Sequence, residues 1–177
     1  MLHDMKETIS DIKTRRSCRK YTSQQVDEET LNTVLDAATY TPTGRGKQSP
    51  KMVVVQDPAV LAHLSKLNAR IMDAKHDPMY GAPTAVIVFA DKTWSTGHQD
   101  AALVMGTLML AAHACGLASC WINRAKEMFE LPEGAPYLAK WGLGDEYEGM
   151  GICILGYEAE GGTVAPKPRK DDYIIRD

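Results

Sequence analysis

The chain has 177 residues, of which 44% are hydrophobic and 24% charged, with a formal net charge of −3 at pH 7. That is the length of one domain with room for a sizeable core. The mildly acidic balance, with no long basic stripe, is the opposite of a duplex-binding footprint. No apolar run approaches the ~20 residues that span a bilayer, and the opening residues are polar and charged rather than a leader. We therefore expect a single cytoplasmic domain over residues 1–177, without a nucleic-acid or membrane partner. The four cysteines, Cys18, Cys115, Cys120 and Cys153, form no C-x-x-C pair, so neither a zinc ribbon nor a thioredoxin-like motif is written here and no metal is expected.

In chain order, residues 2–13 carry Met5, Ile9 and Ile12 at helical spacing. Residues 14–21, T-R-R-S-C-R-K-Y, then place Arg15, Arg16, Arg19 and Lys20 around the hydroxyl of Ser17. Cations this close repel one another unless an anion sits among them. A phosphate monoester offers about −1.5 to −2 charge and three strong acceptors that match the planar fork of arginine. The same run also reads as a solvated basic helix end. Cys18 is either a small buried hydrophobe or a thiol whose thiolate is favoured by Arg16 and Arg19.

Residues 26–40 predict a second helix, with Asp27 as N-cap, Glu28 and Glu29 at the positive end of the dipole, and Leu31, Val34, Leu35 and Ala38 as its apolar stripe. Residues 41–50, T-P-T-G-R-G-K-Q-S-P, are a loop whose backbone can approach a ligand closely. A β-branched strand follows over 51–56. Residues 57–74 predict a helix capped by Asp57 and started by Pro58, with Val60, Leu61, Leu64, Leu67 and Ile71 on one face and His63 on the polar side. The apolar run at 85–90 predicts a strand covered on both faces.

Residues 100–115 predict a helix closed by Gly116 and apolar nearly all round, so it lies inside the molecule or between two copies of it. Gly106 lets a neighbouring backbone come close. His113 has no H-E-x-x-H context and reads as a packed, hydrogen-bonded core histidine. The string A-S-C-W-I-N at 118–123 follows directly. Residues 126–147 read as turns around a short helical piece at 137–141, and their glycines do not form a dinucleotide fingerprint. A buried strand is predicted over 150–157, and P-K-P-R-K at 166–170 is a second basic cluster.

Four ordered stretches, R-R-S-C-R-K-Y at 15–21, T-P-T-G at 41–44, L-A-A-H-A-C-G-L at 110–117 and P-K-P-R-K at 166–170, resemble the FMN-dependent nitroreductase family over nearly the whole chain. The resemblance implies an α+β fold, a mixed central β-sheet surrounded by helices, assembled as a homodimer with two FMN sites at its interface. It implies that Arg15, Arg16, Ser17 and Arg19 hold the flavin phosphate and the ring edge. Thr43, Gly44, Gln48 and Ser49 would reach the partner's flavin. The backbone of Trp121, Ile122 and Asn123 would face the ring, and Lys167 and Arg169 would fold back onto the phosphate, with residues 171–177 extending onto the partner. The chain departs from the family at Gly46, where many relatives have asparagine.

The implied chemistry is ping-pong hydride transfer from NADH or NADPH, through FMN, to a nitroaromatic, quinone or similar electron-poor acceptor. It needs no protein nucleophile and no acid–base pair. Two other readings share the scaffold: a non-catalytic flavin-binding or sensing protein, and a flavin enzyme of dehalogenase or flavin-destroying type.

Overall fold

A four-stranded sheet separates two helical layers in the computed structural model, which describes residues 7–177. The strands are β1 (Lys51–Val55), β2 (Thr84–Asp91), β3 (Ala118–Ile122) and β4 (Tyr147–Gly156), in the order β1-β2-β4-β3. The last strand thus inserts between two earlier ones and leaves β3 on an edge. All three pairings are antiparallel, and the parallel part of the expected mixed sheet is the single bridge between Ser17 and Ser119.

Strand β2 explains the layering. Val86, Val88 and Ala90 face a core built with α2 (Glu28–Thr39) and α4 (Gly97–Ala114), whereas Ala85, Ile87 and Phe89 face a second core with α3 (Pro58–Ile71) and α5 (Ala125–Glu130). Both faces are dry, so alternation of side chains produces a continuous apolar run even though the pairing is antiparallel. The register shifts between Val88 and Phe89, which lie opposite Gly151 and Gly149 and leave Met150 as the extra residue of a bulge.

The predicted caps form. Asp27 Oδ1 accepts from the Thr30 N–H at 2.8 Å, and Asp57 Oδ1 accepts from the Ala59 N–H at 2.8 Å beside Pro58 in the first turn. Such a cap is worth about 1 kcal/mol. Helix α4 stops where Gly116 turns left-handed at φ 76°. The first helix, α1 (Glu7–Thr14), buries no residue and leaves Ile9 and Ile12 exposed; residues 2–6 of the predicted helix lie outside the described residues.

Two expectations need correction in the second layer. Residues 126–147, read as turns around one helical piece at 137–141, hold α6 (Ala135–Lys140) at that piece and, in addition, most of α5, which begins at Ala125. His63, expected on the polar side, is half-buried, with its Nδ1 2.8 Å from the Tyr137 hydroxyl, which ties α3 to α6. Tyr137 stacks on Trp141 at 5.2 Å, and Trp141 meets Phe129 edge-on at 5.6 Å. An aromatic neighbour outweighs the local amphipathic pattern here.

Helix α4 positions the site. Its inner face, including Ala101, Met105, Leu108 and Ala112, is fully buried. Its outer face leaves Leu103 50% exposed, and a Cβ added at Gly106 would meet nothing within 4 Å. No helix among the described residues is long and apolar enough to cross a membrane.

Candidate functional site

A cleft of about 290 Å³ opens where the basic turn meets the C-terminal end of α4 and the start of β3. Arg15 and Arg16 line one wall, His113 and Ser119 the other, and Glu158 and Thr163 close it. The turn is docked by backbone: Ser17 bridges Ser119, and the Cys18 N–H donates to the Ser119 carbonyl at 2.9 Å.

Two polar atoms in this cleft are buried without a hydrogen-bond partner, Arg15 Nη1 and Ser119 Oγ. A buried donor left unpaired costs on the order of 1–3 kcal/mol, so both groups are poised for an acceptor the chain itself does not supply. Arg16 is used differently: its Nη1 donates to the carbonyls of Lys13 at 2.7 Å and Arg15 at 2.6 Å, closing the end of α1. Glu158 Oε1 accepts from both the N–H and the hydroxyl of Thr163 at 2.7 Å and so shapes the 158–163 turn.

The edge strand continues the site. Backbone groups of alternate residues point to the same side of a strand, so Trp121, two residues beyond Ser119, shares its open edge and offers an N–H there. Ile122, expected to offer its backbone to the ring, has the opposite parity: its peptide groups turn toward β4 and its side chain is buried in the second core. Asn123 is anchored: its carbonyl accepts from Nδ2 of the fully buried Asn68 at 2.7 Å. The Trp121 ring covers Gly151 of β4, where a Cβ would lie 2.7 Å from the indole nitrogen.

The loop residues sit elsewhere. Gly44 N–H donates to Asp100 Oδ1 at 3.0 Å, while Asp100 Oδ2 accepts from the Thr96 hydroxyl at 3.0 Å, so a buried carboxylate at the start of α4 fastens the T-P-T-G turn. Thr43 Oγ1 accepts from the Gln48 N–H at 3.0 Å, and both residues line a hollow of about 130 Å³ with Thr41 and Met52. Arg45 and Gln48 hold positive φ, 53° and 51°, conformations that cost a non-glycine residue on the order of 1–2 kcal/mol. Gly46, also left-handed at φ 65°, takes the same region without that cost. Ser49 Oγ is buried without a partner.

The structure thus brings Arg15, Arg16, Ser17 and the start of β3 together, and separates them from the loop. Asp100 and His113 are 13 residues apart on α4, or roughly 20 Å along the helix. Arg19 donates its N–H to the Gly162 carbonyl at 2.8 Å, but its side chain is exposed and outside the cleft lining. Lys167 and Arg169 lie on an exposed tail, where Arg169 Nη2 bonds the Lys167 carbonyl at 2.7 Å, and neither lines the cleft.

Of the two readings of Cys18, the buried one holds: its Sγ lies 3.0 Å from the Lys20 carbonyl, and burial pushes its thiol up. His113, expected in the core, is half-buried at the cleft wall with its Nε2 2.9 Å from Thr14 Oγ1. Asp100 and Asn68, which hold the two backbone stretches of the site, had no role assigned from sequence. A lone acid opening an otherwise apolar helix was the available signal for the first.

Comparison with known proteins identifies the family. The chain belongs to the nitroreductase family, whose model matches residues 12–157. It is 28% identical over 181 residues to an Archaeoglobus fulgidus protein provisionally named an NADH dehydrogenase/NAD(P)H nitroreductase, covering 98% of this chain and 93% of that one. A Methanothermobacter thermautotrophicus protein of the same provisional name is 28% identical over 146 residues, covering 72% of this chain and 71% of the relative. Among solved structures, a Bacteroides fragilis nitroreductase with bound FMN superposes with a TM-score of 0.88 at 28% identity, covering 98% of this chain and all of that one.

Proposed function

We propose that this protein is an FMN-dependent oxidoreductase that takes hydride from NADH or NADPH and delivers it to a nitroaromatic, quinone or similar electron-poor acceptor. The observation that carries the reading is the pair of orphaned buried groups, Arg15 Nη1 and Ser119 Oγ, in a cleft edged by Arg16. They fit the phosphate end of FMN: a guanidinium donor, a hydroxyl and the Ser17 turn suit a dianion with three acceptor oxygens. Family membership and the FMN-bound Bacteroides fragilis structure support the same cofactor.

When bound, FMN supplies the hydride acceptor and donor chemistry that no side chain offers. The chain binds, orients and shields it. Arg15, Ser17 and Ser119 hold the phosphate end. The Trp121 N–H on the open edge of β3 orients the ring, and Asn68 keeps that edge fixed by gripping the Asn123 carbonyl. Arg19, Lys167 and Arg169 join the phosphate only by moving from their exposed positions.

We further propose a homodimer. The 43–49 loop and the cleft stand at opposite ends of α4, so a two-fold crossing of α4 on α4, through the exposed face at Leu103 and Gly106, sets one chain's Thr43, Gly44, Gln48 and Ser49 against its partner's cleft.

The test is initial-rate kinetics of NADH and NADPH oxidation by the FMN-loaded protein against a quinone and a nitroaromatic. Parallel double-reciprocal lines are expected for the ping-pong order. An FMN-loaded protein that oxidises neither nicotinamide overturns the reductase reading in favour of a flavin-binding protein.

A further inference from the structure

Thr14 holds one side of the His113 ring. Its hydroxyl donates to the Ser10 carbonyl at 2.8 Å, and the same oxygen lies 2.9 Å from His113 Nε2. Nδ1 has no protein partner among the described residues. With both nitrogens protonated, the ring keeps an Nε2–H on Thr14 and has an Nδ1–H to donate to an acceptor in the cleft.

Charge balance points the same way. The charged groups facing His113 across the cleft are Arg15 and Arg16 from the end of α1 and Glu158 from the segment after β4, which sum to +1. A phosphate monoester brings about −1.5 to −2. His113 also sits in the last turn of α4, where the helix dipole favours a cation.

We infer that His113 is a further cationic ligand of the flavin phosphate, and that FMN binding carries a proton onto its ring. This inference rests on the cofactor reading above and goes further by adding a ligand and a pH linkage to it. FMN binding then takes up a proton, whereas binding of riboflavin, which lacks the phosphate, takes up none.

Calorimetric titration of the flavin-free protein with FMN, in two buffers of different ionisation enthalpy, reads proton uptake directly. Uptake is expected for the native chain and lost in His113→Gln, which should bind FMN roughly ten-fold or more weakly with riboflavin affinity unchanged. In Glu158→Gln, which adds one unit of positive balance, uptake should shrink. Nitrogen-detected NMR of the native protein needs no variant: one imidazole should become doubly protonated on adding FMN. If no histidine changes protonation, or if His113→Gln binds FMN as tightly as the native chain, the inference falls while the cofactor reading stands. A native chain that binds no FMN overturns both.

Discussion

Replacing Arg15 by methionine separates binding from folding, because the two respond with opposite signs. In the flavin-free chain, Arg15 Nη1 is buried without a partner, and an unpaired buried donor costs about 1–3 kcal/mol. The residue as a whole is only half-buried, so its other donors reach water and the lower end, about 1 kcal/mol, applies. Methionine keeps the apolar stem and removes the orphan. For a domain of this size that raises the melting temperature by roughly 2–4 °C.

With FMN the balance reverses. The lost charge-assisted bond is worth about 1.5–3 kcal/mol, which raises Kd roughly 10- to 150-fold. Differential scanning fluorimetry of the flavin-free protein and flavin fluorescence titration give the two numbers independently. A variant that binds FMN like the native chain, or one whose flavin-free form melts several degrees lower, refutes the assignment of Arg15 to the phosphate.

Gly44→Ala drives a Cβ into Thr96 Oγ1, dislodging the turn that Asp100 holds; FMN affinity should fall with little change in melting temperature, read by the same two assays. Leu103→Arg places a charge at the α4 face proposed for the dimer and should shift sedimentation toward the monomer and lower FMN occupancy together. Burial pushes the Cys153 thiol up to about 12, and Cys18, Cys120 and Cys153 are all buried, so thiol titration of the native protein should spare these three and detect all four only after unfolding.

The hydrogen bonds from Arg70 hold the Glu133 carboxyl at about 2 against an ordinary 4.5. Its contribution is fully present above the ordinary value and is lost as pH falls toward 2. Glu133→Gln should therefore melt slightly below the native chain at pH 7, with the gap closing in acid. The pair is exposed, so the gap is small.

What the sequence made legible was local. The Asp27 and Asp57 caps, the β2 run and the glycine stop after α4 each depend on a few adjacent residues. The strand order was not legible, because β4 lies between β2 and β3 through pairings distant in sequence that no local pattern records. Nor was α5, a six-residue helix following a left-handed Arg124 without a side-chain cap. Both misread histidines failed for one reason: His63 and His113 each face a partner far away in sequence, Tyr137 and Thr14. At the site, the spacing of the basic turn was readable. Whether Arg15, Arg16 or Arg19 faces the cleft depends on where Ser119 and Gly162 dock that turn.

The most direct test is the visible absorbance spectrum of the protein reconstituted with FMN and dialysed, recorded anaerobically before and after adding NADH and then NADPH. One flavin per chain should remain bound, and its absorbance should bleach with at least one nicotinamide and return when a quinone is added. A chain that leaves dialysis colourless contradicts the assignment of the Arg15 and Ser119 cleft to a flavin phosphate.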